Sequence, residues 1–272
     1  MQRRILIIDD HDDLASALQS VFVQVGHEVK VVENRHDALE VDNLDAFDLV
    51  VTDLDGENLP SVAALLNGNG HDCLPEADDE PGTESADEHT KAFKLCASHF
   101  RREGFDEDEL KNFIATILNY KTQFVDKFDY VQNLHESIEF ELPSSISPMH
   151  TVLEYLMKRV EKLGVVRAEQ SNLFIALDEA FVNAVKHGNK FDSQKLIRIT
   201  AEVSRHEARF TIEDEGEGFD VNAIPDPLDP ENLFKTSGRG VLFIYNIMDE
   251  VKYNERGNRL TMVKRSDNKP NV

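Results

Sequence analysis

Three separated segments in the C-terminal half constrain this chain more than any other feature. ALDEAFVNAVKHGN (176–189) reads as a helix, with Glu179, Asn183 and Lys186/His187 spaced by four and then three to four residues along one face. Apolar Leu177, Ala180, Phe181 and Ala184 make up the rest of the inner surface, so the polar groups there need a partner or a ligand. EDEGEGFD (213–220) ends a strand at Asp214, and Gly216 and Gly218 let the backbone approach a ligand closely. TSGRGVLFI (236–244) sets Gly238 and Gly240 before a helix, whose N-terminal N–H groups suit a phosphate. No GxGxxG runs from a strand into a helix, and no GxxxxGK[ST] loop is present. A single glycine-rich turn is weak evidence, whereas three such segments in fixed order define a nucleotide-site hypothesis.

Charge narrows the function class. Lys and Arg number 29 against 52 Asp and Glu, a net charge of −23 over 272 residues. Such a surface repels phosphate backbones and anionic lipid, which argues against nucleic-acid and membrane partners. No apolar run reaches the roughly 20 residues that span a bilayer, and MQRRILIIDDHDD turns acidic too early for a signal peptide. A cytoplasmic location is the expectation. Cys73 and Cys96 form neither a disulfide framework nor a CxxC pattern and read as packing residues. The length suggests about two domains.

In the N-terminal half, ILII (5–8) ends in Asp9 and Asp10, and DLVVT (48–52) ends in Asp53. Short continuous apolar runs read as buried parallel strands. Leu14, Leu18 and Phe22 between them recur at helical spacing, and HEVKVVEN (27–34) reads as a strand, giving a β-α-β start to an open parallel sheet. Residues 76–88 are acidic and read as a solvated loop, and a helical pattern is expected at about 88–97. Leu110, Ile114, Ile117, Phe124, Phe128 and Val131 then form one stripe of a long helix, broken once by Lys121. That helix either lies on its own domain or links two domains and pairs with a second copy; the stripe outlasts the first domain, which favours a homodimer.

A second domain is expected from Ser137. Its elements are a strand at 138–145, helices at 149–164 and 168–188, paired strands over 196–216, a helix at 241–249 and a hairpin at 251–265 turning at Arg256–Asn258. Strands in hairpins with helices on one face make an α+β sandwich. The expected divisions are a receiver-like region over 1–108, a linker or dimerisation helix over 109–136, a nucleotide-binding domain over 137–266 and a tail over 267–272.

The three glycine-bearing segments resemble the GHKL (HATPase_c) ATPase fold. Residues 138–265 are most similar to the anti-sigma-factor serine/threonine kinases of the RsbW/SpoIIAB-like branch, including the acidic, proline-bearing lid at 220–235. The resemblance implies Mg2+ and ATP as cofactors. It assigns Asn183 to the Mg2+ that bridges the phosphates, Asp214 to the adenine amino group, and Gly216 and Gly218 to the adenine pocket. Gly238, Arg239 and Gly240 would cover the phosphates, and Glu179 would be the general base. Lys186, His187 and Arg239 are candidate phosphate-side groups, with surface solvation the alternative for the two cations. His135-Glu136 is unsuited as a histidine-kinase phosphoacceptor because it precedes a strand.

Residues 3–130 resemble the receiver domain of two-component response regulators, a doubly wound parallel-sheet fold. The resemblance implies Mg2+ held by Asp9, Asp10 and Asp53, with Asp53 the phosphoacceptor of a phosphorelay from a sensor histidine kinase. Gly56 and Pro60 loosely match the loop that follows. Two positions depart from the pattern: Glu76 or Ala77 stands at the usual Ser/Thr, and Glu103-Gly104 at the usual Lys-Pro. Asp53 is then either phosphorylated with weakened switching machinery or part of a structural pseudo-receiver.

The expectation is thus a response-regulator-type protein whose output half binds Mg-ATP. It would phosphorylate a Ser or Thr of a STAS-type anti-sigma-factor antagonist, or sequester a sigma factor, in partner switching. The alternative is an ATP-gated binding module without kinase activity, under a degenerate receiver. A DNA-binding response regulator is excluded by charge and by the lack of a basic output helix.

Overall fold

The computed structural model describes residues 1–10, 12–34, 37–38, 40–41, 46–55, 89–97, 104–128, 134–167, 172–221 and 239–266. The elements, in chain order, are β1 (Arg4–Asp9), α1 (Asp12–Val25), β2 (Glu28–Val32), β3 (Leu49–Asp55), β4 (His89–Ala97) and α2 (Glu107–Phe124). They continue with β5 (Leu134–Pro143), α3 (Ile146–Lys162), α4 (Leu173–Asn183), β6 (Leu196–Val203), β7 (Glu207–Asp214), α5 (Arg239–Ile247), β8 (Glu250–Tyr253) and β9 (Arg259–Arg265).

The strands form one nine-stranded sheet in the order β2-β1-β3-β4-β5-β6-β7-β9-β8. The apolar runs of β1 and β3 pair in parallel as expected, with Ile5 opposite Leu49 and Ile8 opposite Thr52. Ile5, Leu6, Ile7 and Ile8 are all buried, each contributing about 1.5–3 kcal/mol over exposure. β4 then runs antiparallel to β3 and parallel to β5. The expected separation into a doubly wound sheet and a distinct sandwich is therefore corrected. The two halves share a sheet, because β4 carries hydrogen-bonding groups that satisfy β3 on one side and β5 on the other.

Residues 89–97 form this strand rather than the expected helix. Phe93, Leu95 and Ala97 alternate onto one face with Cys96 on the other, a period of two that short apolar segments share with helix patterns.

The five helices named here all contribute to one core on one face of the sheet, and they touch in chain order: α1 with α2, α2 with α3, α3 with α4, α4 with α5. On the opposite face, Leu6, Ile8, Val50 and Cys96 are covered by Ala38, Val41 and Phe47. Farther along that face, cross-strand polar pairs line the sheet: Lys94 with Glu139 at 3.0 Å, Arg198 with Glu141 at 2.8 Å, and Arg259 with Glu213 at 3.1 Å.

α2 is the helix expected to link or dimerise. Its stripe is used within the chain instead: Leu110, Ile114 and Ile117 are buried, between α1 and α3. The helix ends at Phe124, and Phe128 lies in a 3-10 turn (Asp126–Phe128). Val131 lies outside the described residues. Glu107, Asp108 and Glu109 complement the N-terminal end of the helix dipole. Glu109 also takes a two-point ion pair from Arg3, at 2.9 and 2.6 Å, and Glu107 accepts the Ser147 N–H at 3.0 Å. These bonds tie α2 to β1 and to the start of α3. The observation that favoured a homodimer is thereby removed. Among the described residues, no helix is long and apolar enough to cross a membrane.

Candidate nucleotide site

α4 carries Glu179 and Asn183 one turn apart, and the helix changes character at Asn183. Ala184–Gly188 form a π turn, closed by the Asn189 N–H donating to the Ala184 carbonyl at 2.8 Å. Single π turns inside helices concentrate at functional sites because they re-aim the residues beyond them. Glu179 and Asn183 keep their shared face. Lys186 and His187 fall in the widened turn and are exposed, which departs from the expected single stripe.

Gly240, the second residue of α5, lies directly against that face. A Cβ placed on it would meet the Glu179 carboxylate, and would lie 3.7 Å from Asn183 Nδ2. The first turn of α5 thus brings its N–H groups beside Glu179 and Asn183, a geometry suited to anionic oxygens. Arg239 opens α5, while Gly238 and residues 222–235 of the expected lid lie outside the described residues.

Asp214 ends β7 and is enclosed by glycine. A Cβ on Gly188 would collide with its carboxyl group, and one on Gly216 would lie 2.7 Å from its Oδ1. The Gly216 N–H donates to that same oxygen at 2.8 Å. Burial pushes the Asp214 pKa up, and the Gly216 hydrogen bond pulls it partly back. Gly218 has φ +74°, and a Cβ there would strike the Arg256 carbonyl, so a side chain is excluded twice over.

The sequence reading missed the residues that hold this loop. Asn189 is fully buried; its amide oxygen accepts the Glu215 N–H at 2.9 Å and its Nδ2 donates to the Leu196 carbonyl at 2.8 Å. It therefore pins the end of the π turn to both β6 and the Asp214 loop. Asn258 Nδ2 donates to the Asp214 carbonyl at 2.8 Å, and Arg256 Nη2 to the Gly216 carbonyl at 2.8 Å. The β8–β9 turn thus clamps the Asp214 loop from the far side. The only signal available was the position of Asn189 directly after Gly188, and of Arg256 and Asn258 in a turn recognised as such.

The N-terminal acids behave differently from expectation. Asp9 is buried and accepts the Ala15 N–H at 2.8 Å, steadying the start of α1, while Asp10 is exposed. β3 does not stop at Asp53 but runs on to Asp55. Asp53 is 1% exposed and bonded to Lys121 Nζ at 3.2 Å through both oxygens. Among the described residues no group of three or more Asp, Glu, His or Cys is placed to hold a metal. Asp9, Asp10 and Asp53 are thus not brought together into one cluster here, and both Asp53 oxygens face the Lys121 ammonium. The ammonium of Lys121 stands against its charge. Gly56, Pro60, Cys73, Glu76, Ala77 and Glu103 lie outside the described residues, as does the expected tail at 267–272.

Burial pushes the Asp53 carboxyl up, with Lys121 offsetting only part of the effect. Burial also works against the Lys121 ammonium, but Asp53, Asp126 and Glu136 outweigh it and keep lysine protonated above its ordinary range. Asp126 stands 3.0 Å from Lys121 and 3.6 Å from Arg159, and Arg159 pairs with Glu136 at 2.8 Å. Cys96 is buried with its thiol pushed up to about 12, which leaves it a packing residue.

The histidine kinase-like ATPase domain family matches residues 142–264. Among curated proteins, the serine-protein kinase RsbW of Staphylococcus epidermidis is 30% identical over 142 residues, covering 49% of this chain and 89% of the relative. The serine-protein kinase RsbW of Staphylococcus aureus (strain Newman) is 28% identical over 142 residues, with the same coverage. A solved structure of the RsbU and RsbW domains of a Mycobacterium tuberculosis protein aligns at 17% identity and a TM-score of 0.33, covering 48% of this chain and 32% of that one.

Proposed function

The chain belongs, through its C-terminal half, to the family of the serine-protein kinase RsbW, and from that premise we propose how its residues act as an ATP-dependent protein serine/threonine kinase. The observation that carries the reading is the meeting of Gly240 with Glu179 and Asn183. A base, a metal-binding amide and a helix N-terminus converge there, and phosphoryl transfer needs chiefly positioning and charge neutralisation.

The residues suit the group they would hold. Gly188 and Gly216 leave beside the Asp214 carboxylate a recess that any side chain would fill. A planar base with an exocyclic amino group matches such an acceptor. Asn183 would hold the Mg2+ that accompanies the phosphates, and the first N–H groups of α5 would receive phosphate oxygens. Mg-ATP supplies the transferable phosphoryl group. Glu179 takes the proton from the hydroxyl of the attacking Ser or Thr. The protein carries −23, so fixed N–H dipoles and the metal must offset the ligand's charge.

The acceptor in this proposal is a Ser or Thr of a STAS-type anti-sigma-factor antagonist, with sigma-factor sequestration as the linked binding activity. The N-terminal half would influence this output through the β4–β5 pairing and through α2. Incubating the purified chain with radiolabelled ATP, Mg2+ and a STAS-type partner tests the reading. Label on a Ser or Thr of the partner is expected. ATP binding without label would leave an ATP-gated binding module instead.

A further inference from the structure

Asn189, Leu196 and Glu215 close a ring of three hydrogen bonds beside the Asp214 loop. Asn189 Oδ1 accepts the Glu215 N–H at 2.9 Å, the Glu215 carboxylate accepts the Leu196 N–H at 2.9 Å, and the Leu196 carbonyl accepts Asn189 Nδ2 at 2.8 Å. The ring joins the end of the π turn, the start of β6 and the loop after β7. Asn189 is fully buried, so its bonds form without competition from water. The chain leaves Asn189 through Lys190 and Phe191, both left-handed at φ 57° and 58°. That conformation is unfavourable for residues with a Cβ and persists where surrounding bonds hold it. Here the Phe191 N–H donates to the Val185 carbonyl at 2.9 Å and the Asp192 N–H to the Asn189 carbonyl at 3.0 Å.

The ring reaches Asp214 through one link. Glu215 precedes Gly216, and the Gly216 N–H donates to Asp214 Oδ1 at 2.8 Å. Fixing the Glu215 N–H on Asn189 therefore aims the next N–H at that oxygen. A carboxylate alone does not distinguish purines. Guanine offers two adjacent donors, N1–H and the 2-amino group, which a carboxylate can take with both oxygens, whereas adenine offers one amino group. With Oδ1 already accepting from Gly216, Oδ2 is the readier acceptor, one oxygen for one donor. We propose that Asn189, acting through this ring, is a positioning residue that makes the Asp214 recess select adenine over guanine, a role that rests on the ATP site proposed for this recess. Opening the ring frees the Gly216 N–H to leave Oδ1, and both carboxylate oxygens can then turn to guanine.

Isothermal titration of the full chain with Mg-ATP and Mg-GTP tests the role. The unaltered chain should bind ATP about a hundredfold or more tighter than GTP. Asn189→Ala should lower that ratio about tenfold or more. Glu215→Ala opens the same ring at a half-buried position and should lower the ratio too, while Glu215→Gln, which keeps an acceptor for the Leu196 N–H, should restore it. Ile117→Val shortens a buried side chain on α2; it should lower the melting temperature and leave the ratio unchanged. Equal affinity of the unaltered chain for the two nucleotides overturns the proposal. So does a ratio that stays constant in Glu215→Ala, or one that falls as far in Ile117→Val. Those results would leave the ATP site standing, whereas failure of the unaltered chain to bind either nucleotide would remove the site and the role of Asn189 together.

Discussion

Asp53 and Lys121 lie 68 positions apart in sequence and meet in the core, the lysine nitrogen 3.2 Å from each carboxylate oxygen. Removing one partner strands a buried charge. Lys121→Met should cost about 3–5 kcal/mol of stability, read from urea unfolding. Adding Asp53→Asn to that variant should recover part of the loss, since the pair is then replaced by neutral groups. Acetyl phosphate, a small phosphodonor, should leave Asp53 of the folded chain unlabelled; mass-spectrometric detection of an aspartyl phosphate at that residue would contradict this.

Glycine positions at the nucleotide site make a sharper test than charge removal. Gly240→Ala drives a methyl group into the Glu179 carboxylate, and Gly188→Ala drives one into Asp214. The first should lower phosphotransfer about 100-fold. The second should weaken ATP affinity by about tenfold or more. Transfer rates and titration calorimetry on the two variants separate these effects.

Glu179→Gln keeps the shape of the side chain and removes the base. ATP should still raise the melting temperature of this variant, because ligand binding stabilises by mass action. Phosphotransfer should fall by about 100-fold or more. Undiminished transfer would take Glu179 out of the base role.

Asp214 brings a pH dependence whose sign can be worked out. Its folded pKa is raised above 3.8 by burial. The contribution of this group to stability is therefore fully present below its unfolded value and is lost as pH rises through the folded value. Asp214→Asn should thus stabilise the ligand-free chain at neutral pH. ATP binding runs the other way: the adenine amino group needs an ionised acceptor, so affinity should fall as pH drops through the raised pKa. A pH series of ATP titrations should show that loss in the unaltered chain and not in Asp214→Asn.

Much of the site could be read from the residues alone. The spacing of Glu179 and Asn183 holds because both precede the π turn; Lys186 and His187 follow it, and a five-residue turn leaves no trace in a pattern of threes and fours. β1 and β3 were recognisable because strands buried on both faces are continuously apolar. β4 was not, since Phe93, Leu95 and Cys96 fit a short helix equally well until pairing with β3 and β5 decides. Lys121 reads as a fault in an apolar stripe, and only the approach of Asp53 from another element explains it. Long-range satisfaction of buried polar groups, as at Asn189 and Arg159, has no local signature at all.

The shared sheet has a cost for anyone who divides the chain at its apparent midpoint. Excising 134–266 would strip β4 from β5 and leave a row of backbone donors and acceptors from Leu134 to Glu141 open to solvent. Ile138 and Phe140 alternate along that exposed border, in a strand of high self-pairing tendency. Such a fragment would be prone to stick to its own kind, so an isolated kinase half that clumps would testify to a missing neighbour strand and not to a faulty fold.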